Sequence, residues 1–408
     1  MERYNEYKDS GVQWLGEIPS HWEVCKVKHH YKMITGFTPS TGKSKYYSNN
    51  SDNTWVTIAD MKTKFISESS SHISDLYIKN FKPTIVRKGS LLYSFKLSVG
   101  QVAFADKDLY TNEAIASFEN NENVCLDFLF YSASLCIIKN ANTNIYGAFI
   151  LNQELIKNAT IVYPPFAEQK AIANYLDSAT SKIDEAIAQK QKMIDLLNER
   201  KQIIINNAVT KGLNPDAPMK DSGVDWIGEI PEHWEVRKLK HIAKLKSGDT
   251  ISSDSFTEDG FPVYGGNGFR GYTNRFTNDG EYVLIGRQGA LCGNVNYATG
   301  KFFASEHAVV VYPYDHENVA WLGEVIRASN LNQYSQSAAQ PGLAVSVIEN
   351  IAYPYPPEKE RTAIAEYLAQ QMNAINAALH NIERQISLLQ ERKQIIINDV
   401  VTGKVKVL

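Results

Sequence analysis

Two stretches of the chain carry apolar residues with a period close to 3.5 positions. Each stretch follows a Pro-Pro pair and runs for about 45 residues without proline or glycine, so each is predicted to form one long helix. Apolar positions that recur every seven residues are typical of a coiled coil. The predicted interface comprises Leu176, Ile183, Lys190, Leu197 and Ile204, with Ala179, Ala186 and Met193 between them, and Leu368, Ile375, Ile382, Leu389 and Ile396, with Ala378, Leu379 and Ile386 beside them.

We expect the two helices to pack against each other as an antiparallel coiled coil. At 1.5 Å per residue each helix would span roughly 65 Å. The alternative is that each helix packs only on its neighbouring globular region, as amphipathic helices often do.

The regions outside the helices have a different pattern. Residues 21–160 and 233–350, called here the first and second insert, contain short β-branched and aromatic runs separated by Gly, Asn, Asp and Ser. This pattern predicts strands. Short helices are expected at 126–135 and 319–329, so each insert is predicted to be a mixed α+β globule.

The chain is internally duplicated. The segment DSGVQWLGEIPSHWEV at 9–24 reappears with three changes at 221–236, an offset of 212 residues. A second block, which starts at Tyr163-Pro164-Pro165 and ends with ERKQIIIN at 199–206, reappears with an offset of 192. These repeated blocks form a frame, and the inserts between them look largely unlike each other. Such a repeat predicts duplicated structural units.

The repeat suggests four segments: a globular domain at 1–163, a helix at 164–212, a second globular domain at 213–355 and a second helix at 356–408. The predicted fold class is therefore α+β, with two globular domains separated by two long antiparallel helices in a coiled coil and an internal pseudo-twofold repeat.

Composition narrows the classes of protein. The 408 residues have 43% hydrophobic and 21% charged content, as an ordinary globular chain does. No apolar run approaches the ~18 residues of a membrane span, and the N-terminus lacks the apolar region of a signal peptide, so a cytoplasmic protein is expected. The four cysteines form no C-x-x-C pair, which argues against zinc and against a disulfide framework. A net charge of −3 neither indicates nor excludes nucleic-acid binding.

Several fragments imitate enzyme motifs without the context that the chemistry needs. Residues 266–271 fit G-x-G-x-x-G, but no helix-forming stretch follows, so a tight turn is favoured over a dinucleotide site. Residues 36–44 resemble a phosphate loop with one residue too many. Tyr163-Pro164-Pro165-Phe166 is similar to the N/D-P-P-Y/F loop of amino-methyltransferases, yet Tyr163 lacks the side-chain amide or carboxylate oxygen that accepts hydrogen bonds from the target amine in that loop. The nine histidines lack metal-ligand spacing. His21 and His233 are interpreted as parts of a structural clamp at the entrance of each insert, with an interface role as the alternative.

Together, the repeated motifs resemble the DNA specificity subunit of type I restriction-modification enzymes over nearly the whole chain. The marks are the twice-used G-E-I-P-x-H-W, the twice-used Pro-Pro followed by Ile-Ala-x-Tyr-Leu, and the Glu-Arg-Lys-Gln-Ile-Ile-Ile-Asn helix ends. One departure is Glu360-Arg361, where the first copy has the family's Glu168-Gln169. This difference puts equivalent partner contacts at the two copies in question.

The resemblance implies that the inserts are target-recognition domains, each reading one half of a bipartite DNA site. It also implies that the frame docks two methylation subunits, which methylate adenine N6, and that a restriction/motor subunit completes the complex. The chain itself would bind no cofactor and catalyse nothing, since S-adenosylmethionine, ATP and Mg²⁺ are expected on the partner subunits only. Because the inserts differ, the half-sites should be unrelated.

Candidate DNA contacts are residues that can bind base edges: Arg and Lys on guanine O6/N7, and Asn and Gln on adenine N6/N7. A phosphate contact or a solvated loop position remains an equal alternative for each. The candidates are Lys43, Lys45, Tyr46 and Lys96 in the first insert, and Asn267, Arg270, Tyr272, Arg287 and Gln288 in the second.

Two other functions are retained as alternatives. A non-catalytic coiled-coil scaffold would bind proteins through its inserts and would have no sequence-dependent DNA affinity. An adenine methyltransferase with a fused recognition domain would need a methyl-donor pocket. Neither explains why a duplicated frame carries divergent inserts.

Overall fold

The structure is a computed structural model that describes residues 2–48, 51–96, 98–143, 147–289, 291–314, 318–335 and 342–407. The chain divides into two compact units: unit 1 comprises residues 1–188 and 386–408, and unit 2 comprises residues 189–385. Each unit therefore contains one insert and a segment of both long helices. None of the described helices combines the length and the apolar character that crossing a bilayer requires.

The chain up to residue 211 contains short strands and helices, followed by one long helix. The strands are β1 (Tyr7–Asp9), β2 (Glu17–Pro19), β3 (Glu23–Lys26), β4 (Met33–Thr35), β5 (Trp55–Val56), β6 (Phe65–Ile66), β7 (Leu91–Ser94), β8 (Val102–Ala105), β9 (Tyr110–Thr111), β10 (Ile115–Phe118), β11 (Asn142–Thr143), β12 (Phe149–Ile150) and β13 (Thr160–Tyr163). The helices are α1 (Val27–His30), α2 (Asp75–Phe81), α3 (Leu126–Cys136), α4 (Gln153–Lys157) and α5 (Phe166–Lys211).

The rest of the chain likewise contains short strands and helices, followed by one long helix. Its strands are β14 (Met219–Asp221), β15 (Glu229–Pro231), β16 (Glu235–Lys238), β17 (Ala243–Ser247), β18 (Phe261–Gly265), β19 (Gly268–Thr273), β20 (Asn278–Asp279), β21 (Tyr282–Gly286), β22 (Val295–Ala298), β23 (Lys301–Ala304), β24 (Ala308–Pro313) and β25 (Ala352–Tyr355). Its helices are α6 (Val319–Ala328), α7 (Val345–Ile348) and α8 (Glu358–Val401). The short helices expected near 126 and 319 are confirmed as α3 and α6.

The two inserts share one strand order although their sequences differ. The first has a sheet of order β4-β10-β7-β8-β6, and the second has the order β17-β24-β21-β22, with antiparallel pairing along the four corresponding strands. A glycine directly follows the first strand of each sheet, at a point where two backbone segments lie very close together. A Cβ on Gly36 would lie 2.0 Å from the carbonyl oxygen of Thr111, and one on Gly248 would lie 2.3 Å from that of Ala304. The duplication therefore extends into the inserts.

The long helices pair in antiparallel fashion in both units. In unit 2, Lys190 donates to Gln385 and Lys201 donates to Asn376, so numbers rise on α5 as they fall on α8. In unit 1, Lys393 of α8 forms a 2.7 Å ion pair with Asp184 of α5. The predicted fold class, including the coiled coil, is confirmed.

The predicted stripe faces inward along most of its length. Leu176, Ile183, Leu368, Ile375 and Ile382 are buried, and Leu197, Ile204, Leu389 and Ile396 are half-buried.

The alternate position assigned to Met193 is wrong. Its side chain is 50% exposed, and the half-buried residue is the neighbouring Ile194. Ile194 lies four residues after Lys190 and three before Leu197, so the second inward position of this heptad is the i+4 rather than the i+3 residue.

The G-E-I-P-x-H-W block of unit 1 joins the start of one long helix to the end of the other. Trp22 is fully buried, and His21 Nε2 lies 2.9 Å from a carboxylate oxygen of Glu168 in the first turn of α5. Just past α8, Gly403 has φ +76° and packs so closely that a Cβ would lie 2.4 Å from Pro19. The N-terminal block is thus seated on the C-terminal end of the frame.

Unit 2 repeats this arrangement with the helices exchanged. His233 Nε2 lies 2.7 Å from Glu360 in the first turn of α8, and the buried Trp234 donates its indole N–H to the same carboxylate at 2.9 Å. Gly212, just past α5, has φ +74° and packs on Trp234. The interpretation of the His-Trp element as a structural clamp is confirmed in both units.

The four segments proposed from the repeat and the two compact units divide the chain by different criteria. The segments separate helix from globular region, and the helix starts at Phe166 and Glu358 lie close to those limits. The compact units instead cut both long helices, between residues 188 and 189 and between 385 and 386. Each insert therefore packs with the helix segments of its own unit.

Candidate nucleic-acid interface

The tip of the β18–β19 hairpin is the centre of the candidate site in the second insert. The strands pair up to Gly265 and Gly268, which leaves Gly266 and Asn267 as the turn. A Cβ on Gly286, at the end of β21, would lie only 2.0 Å from the carbonyl oxygen of Gly266. This contact holds the hairpin tip against the loop that follows β21. A strand follows the G-x-G motif, and the interpretation as a turn is confirmed.

A groove of about 610 Å³ opens between the hairpin tip and that loop. The groove is lined by polar side chains, apolar side chains and two glycines. Three of the lining residues, Asn267, Arg270 and Gln288, were predicted from the sequence. The described groove residues are Gly266, Asn267, Phe269, Arg270, Gln288, Gly289, Leu291 and His307.

Two large apolar side chains of the groove are exposed. Phe269 is 53% and Leu291 47% accessible to solvent. The Phe269 ring lies 5.0 Å from that of Tyr272, a predicted contact residue that is itself 38% exposed. Sequence reasoning missed Phe269 and Leu291 because it searched only for polar base-reading groups, although apolar side chains also contact the thymine methyl.

The amide side chains of the groove are held by neighbours within the second insert. Asn267 Oδ1 accepts from Asn294 Nδ2 at 3.1 Å. His307 Nδ1 lies 2.6 Å from Gln288 Oε1, and His307 Nε2 lies 3.1 Å from Glu306 Oε1. Each amide carbonyl therefore already accepts one hydrogen bond, and no described residue accepts a hydrogen bond from either amide nitrogen.

Arg287 lies beside the groove residues in sequence but is held differently. The side chain is half-buried, and Nη1 donates to Ser247 Oγ at 3.0 Å. Its Nε is buried with no hydrogen-bond partner among the described residues. Part of the guanidinium is thus committed to the sheet, and a base contact by Arg287 stays a prediction.

In the first insert, three predicted residues form one cluster. The ring of Tyr46 is 8% exposed and packs 5.2 Å from Tyr77, while the ammonium groups of Lys43 and Lys45 lie 5.6 and 5.7 Å from its centroid. Tyr46 therefore supports two exposed lysines rather than offering its own face to solvent. DNA contact by these residues stays a prediction.

Lys96 is the fourth candidate of the first insert. It is exposed and lies two residues after the end of β7. Gln288 lies two residues after the end of β21, which occupies the same place in the strand order. The two residues thus hold corresponding positions in the two inserts.

Carbonyl groups of the Pro-Pro elements accept hydrogen bonds from side chains in the first turns of the long helices. The carbonyl of Pro164 accepts from Nε2 of the buried Gln169 at 2.8 Å, and that of Pro356 accepts from Nη1 of the buried Arg361 at 3.2 Å. The sequence difference at the second copy therefore preserves the contact. Use of the Pro164 carbonyl at the helix start also fits the rejection of an amine-binding methyltransferase loop.

No cluster of metal-ligating side chains occurs in the described parts of the chain. The four cysteines are free, and burial raises the pKa of the Cys136 thiol to about 12 and that of Cys25 to about 11. These two thiols are protonated at neutral pH, and a protonated thiol is a poor nucleophile and metal ligand.

Comparison with known proteins agrees with this architecture. The model of the type I restriction modification DNA specificity domain matches residues 19–195 and 231–388. The EcoprrI specificity subunit of Escherichia coli is 27% identical over 392 residues, which cover 91% of this chain and 90% of that protein. The MjaVIII specificity subunit of Methanocaldococcus jannaschii is 25% identical over 444 residues, covering 100% and 98%.

Solved structures show the same fold. One is a chain from a structure described as the structural basis underlying complex assembly and conformational transition of the type I R-M system. It aligns with a TM-score of 0.72 at 14% identity, and the alignment covers 95% of this chain and 99% of that chain. The HsdS subunit from Thermoanaerobacter tengcongensis aligns with a TM-score of 0.52 at 15% identity, covering 95% and 98%. Because the family model matches two segments that together make up most of its length, the chain belongs to the type I restriction-modification DNA specificity family.

Proposed function

We propose that this chain is the sequence-specificity subunit of a type I restriction-modification complex. Each insert reads one half of a bipartite, asymmetric site in double-stranded DNA. The frame docks two adenine-N6 methylation subunits, and the complex recruits a restriction/motor subunit. The chain itself acts in the cytoplasm without a catalytic step, and S-adenosylmethionine, ATP and Mg²⁺ belong to the partner subunits.

The observation that carries the proposal is the shared strand order of two inserts that present different side chains. Lys96 and Gln288 hold corresponding positions, yet one is a cation and the other an amide. Lysine brings a charged donor and glutamine a neutral amide, so the two positions present different groups to a base edge. Two copies of one scaffold with different surface groups are suited to reading two different sequences.

The repeated clamp supports the docking of two copies of one partner. His21 with Glu168 and His233 with Glu360 build the same element in unit 1 and unit 2. The difference between Gln169 and Arg361 leaves their contact with the preceding proline carbonyl intact. Each unit therefore pairs a histidine of the repeated block with a glutamate in the first turn of a long helix, and this repetition supports the docking of two identical methylation subunits.

The test is single-molecule sequencing of DNA from cells that carry a cognate methylation subunit, with and without this chain, scored for N6-methyladenine. The expected result is a chain-dependent asymmetric motif of two short half-sites around a fixed gap. Exchange of the second insert for that of a related subunit should change one half-site and leave the other unchanged. The same motif in cells without the chain would contradict the proposal.

The two alternative functions make different predictions in the same experiments. A protein-binding scaffold would form its complexes with no sequence-dependent DNA affinity, and insert exchange would alter no methylation pattern. A fused methyltransferase would bind S-adenosylmethionine as the isolated chain, which calorimetry with the purified protein would detect.

A further inference from the structure

The side chains that line the groove of the second insert restrict which DNA base can bind there. This inference rests on the proposed function, since it takes double-stranded DNA as the molecule that enters the groove. Its polar groups and its apolar groups each restrict the base edge that fits.

The polar groups present donors. The carbonyl of Asn267 is engaged by Asn294 and that of Gln288 by His307, so both amides direct their nitrogen ends to an incoming partner. Arg270 is exposed and has only donors. In the major groove these groups match acceptors, which are guanine O6 and N7, adenine N7 and thymine O4. The bidentate adenine contact of Asn and Gln would require the amide carbonyl to accept a second hydrogen bond beside the one that it already accepts within the insert.

The apolar groups distinguish among these acceptors. Phe269 and Leu291 are about half exposed and line the same groove as the three donors. Among the unmodified bases only thymine carries a methyl group in the major groove, directly beside its O4 acceptor. A surface that pairs donors with exposed apolar side chains is complementary to that edge.

The glycines of the groove allow a close approach to DNA. Gly266 and Gly289 line it without side chains, and a Cβ on Gly289 would meet no atom within 4 Å. We infer that this groove reads a thymine in the half-site of the second insert, with Phe269 and Leu291 contacting its methyl group and a donor such as Gln288 binding O4.

The experiment uses the complex with its methylation subunits and a duplex that carries the motif found by sequencing. Each thymine of the second half-site is replaced in turn by deoxyuridine, which removes only the methyl group. At one position the rate of methylation at limiting DNA is expected to fall about three- to fivefold, the value of one methyl withdrawn from water.

Variants identify the side chains responsible. Phe269→Ala and Leu291→Ala should each reduce the discrimination between thymine and deoxyuridine toward unity, while selection of the first half-site is retained. The matched control is Phe276→Ala, an equally apolar, 44% exposed residue of the same insert that packs on Phe261 and does not line the groove. It should keep the full discrimination.

The outcomes separate the two proposals. If no chain-dependent motif is found, the proposed function itself fails. If the motif exists but deoxyuridine is tolerated at every position, or if both Phe269→Ala and Leu291→Ala retain full discrimination, the inference fails while the function stands. A folding defect is recognised by loss of first half-site selection, and the two variants at separate positions keep the test decisive.

Discussion

The close approach of Gly286 to the turn at Gly266 predicts the effect of one added methyl group. In the variant Gly286→Ala, the new Cβ would lie 2.0 Å from the carbonyl oxygen of Gly266. Non-bonded atoms need a separation of about 3.5 Å, so the hairpin tip must move by about 1.5 Å. A hydrogen bond to a base does not survive such a displacement. Asn267 at the tip then loses its position relative to Gln288.

The magnitude follows from the base-edge hydrogen bond that this displacement breaks. Such a bond is worth about 1 to 3 kcal/mol, which corresponds to roughly 5- to 150-fold in affinity. The weakening should be confined to the second half-site. Gly266→Ala should have a smaller effect because its nearest neighbour, the carbonyl oxygen of His307, is 3.1 Å away. Gly42→Ala, with no atom within 4 Å of its Cβ and an ordinary backbone angle, should change nothing.

The assay measures affinity and methylation by the assembled complex on duplexes altered one base pair at a time in either half-site. The expected order of affinity loss at the second half-site is Gly286→Ala, then Gly266→Ala, then Gly42→Ala. An unchanged profile for Gly286→Ala, or an equal loss at both half-sites, would refute the role given to this close approach. Thermal unfolding of each variant shows whether it is folded.

Two further predictions concern the frame. Leu176→Ala should lower the free energy of unfolding by about 2 to 5 kcal/mol because the Leu176 side chain is fully buried. Leu196→Ala, at a 54% exposed position of the same helix, should lower it by less than about 0.5 kcal/mol. Urea unfolding measures both values, and equal losses would contradict the assigned stripe. Glu360→Ala should destabilise unit 2 by about 1 to 3 kcal/mol because the buried indole N–H of Trp234 loses its acceptor, and Glu360→Gln, which keeps an acceptor, should recover much of that loss in the same measurement.

The long helices were predictable because one simple pattern determines them. Runs free of proline and glycine, with an apolar residue at every seventh position, leave few alternatives for residues such as Leu176 and Leu368. The error at Met193 arises because the seven-residue spacing of Lys190 and Leu197 leaves the second inward position of the heptad to be decided by packing, at either the i+3 or the i+4 residue. The clamp could be recognised as structural, but its acceptors, Glu168 and Glu360, lie more than 120 residues away in sequence.

The shared strand order of the inserts was not predictable from their sequences. Strands of two to six residues carry a weak periodic signal, and cross-strand packing rather than intrinsic propensity decides which residues form them. The glycines at 36 and 248 do lie 212 residues apart, the offset of the first repeated block. That correspondence could have indicated the common topology.

The candidate site was predictable only in part, for a different reason. Asn267, Arg270 and Gln288 were selected by residue type, and they line one groove because the Gly286 contact joins two loops that are distant in sequence. Tyr46 and Arg287 were chosen on the same basis, but residue type does not reveal that the ring of Tyr46 is covered or that Arg287 is bound to Ser247. Burial and side-chain pairing are tertiary properties.

The seating of the N-terminal block on the end of α8 has a consequence for synthesis of the chain. Unit 1 is discontinuous, since it needs residues 386–408 as well as 1–188, whereas unit 2 is one continuous segment. At about 5 to 20 residues per second, the roughly 200 residues of unit 2 take on the order of 10 to 40 s to translate. Throughout that time Trp22 lacks the helix end against which it packs. Unit 1 is therefore the last part of the nascent polypeptide to become complete. While its apolar block is still exposed, chaperone binding and proteolysis compete with folding.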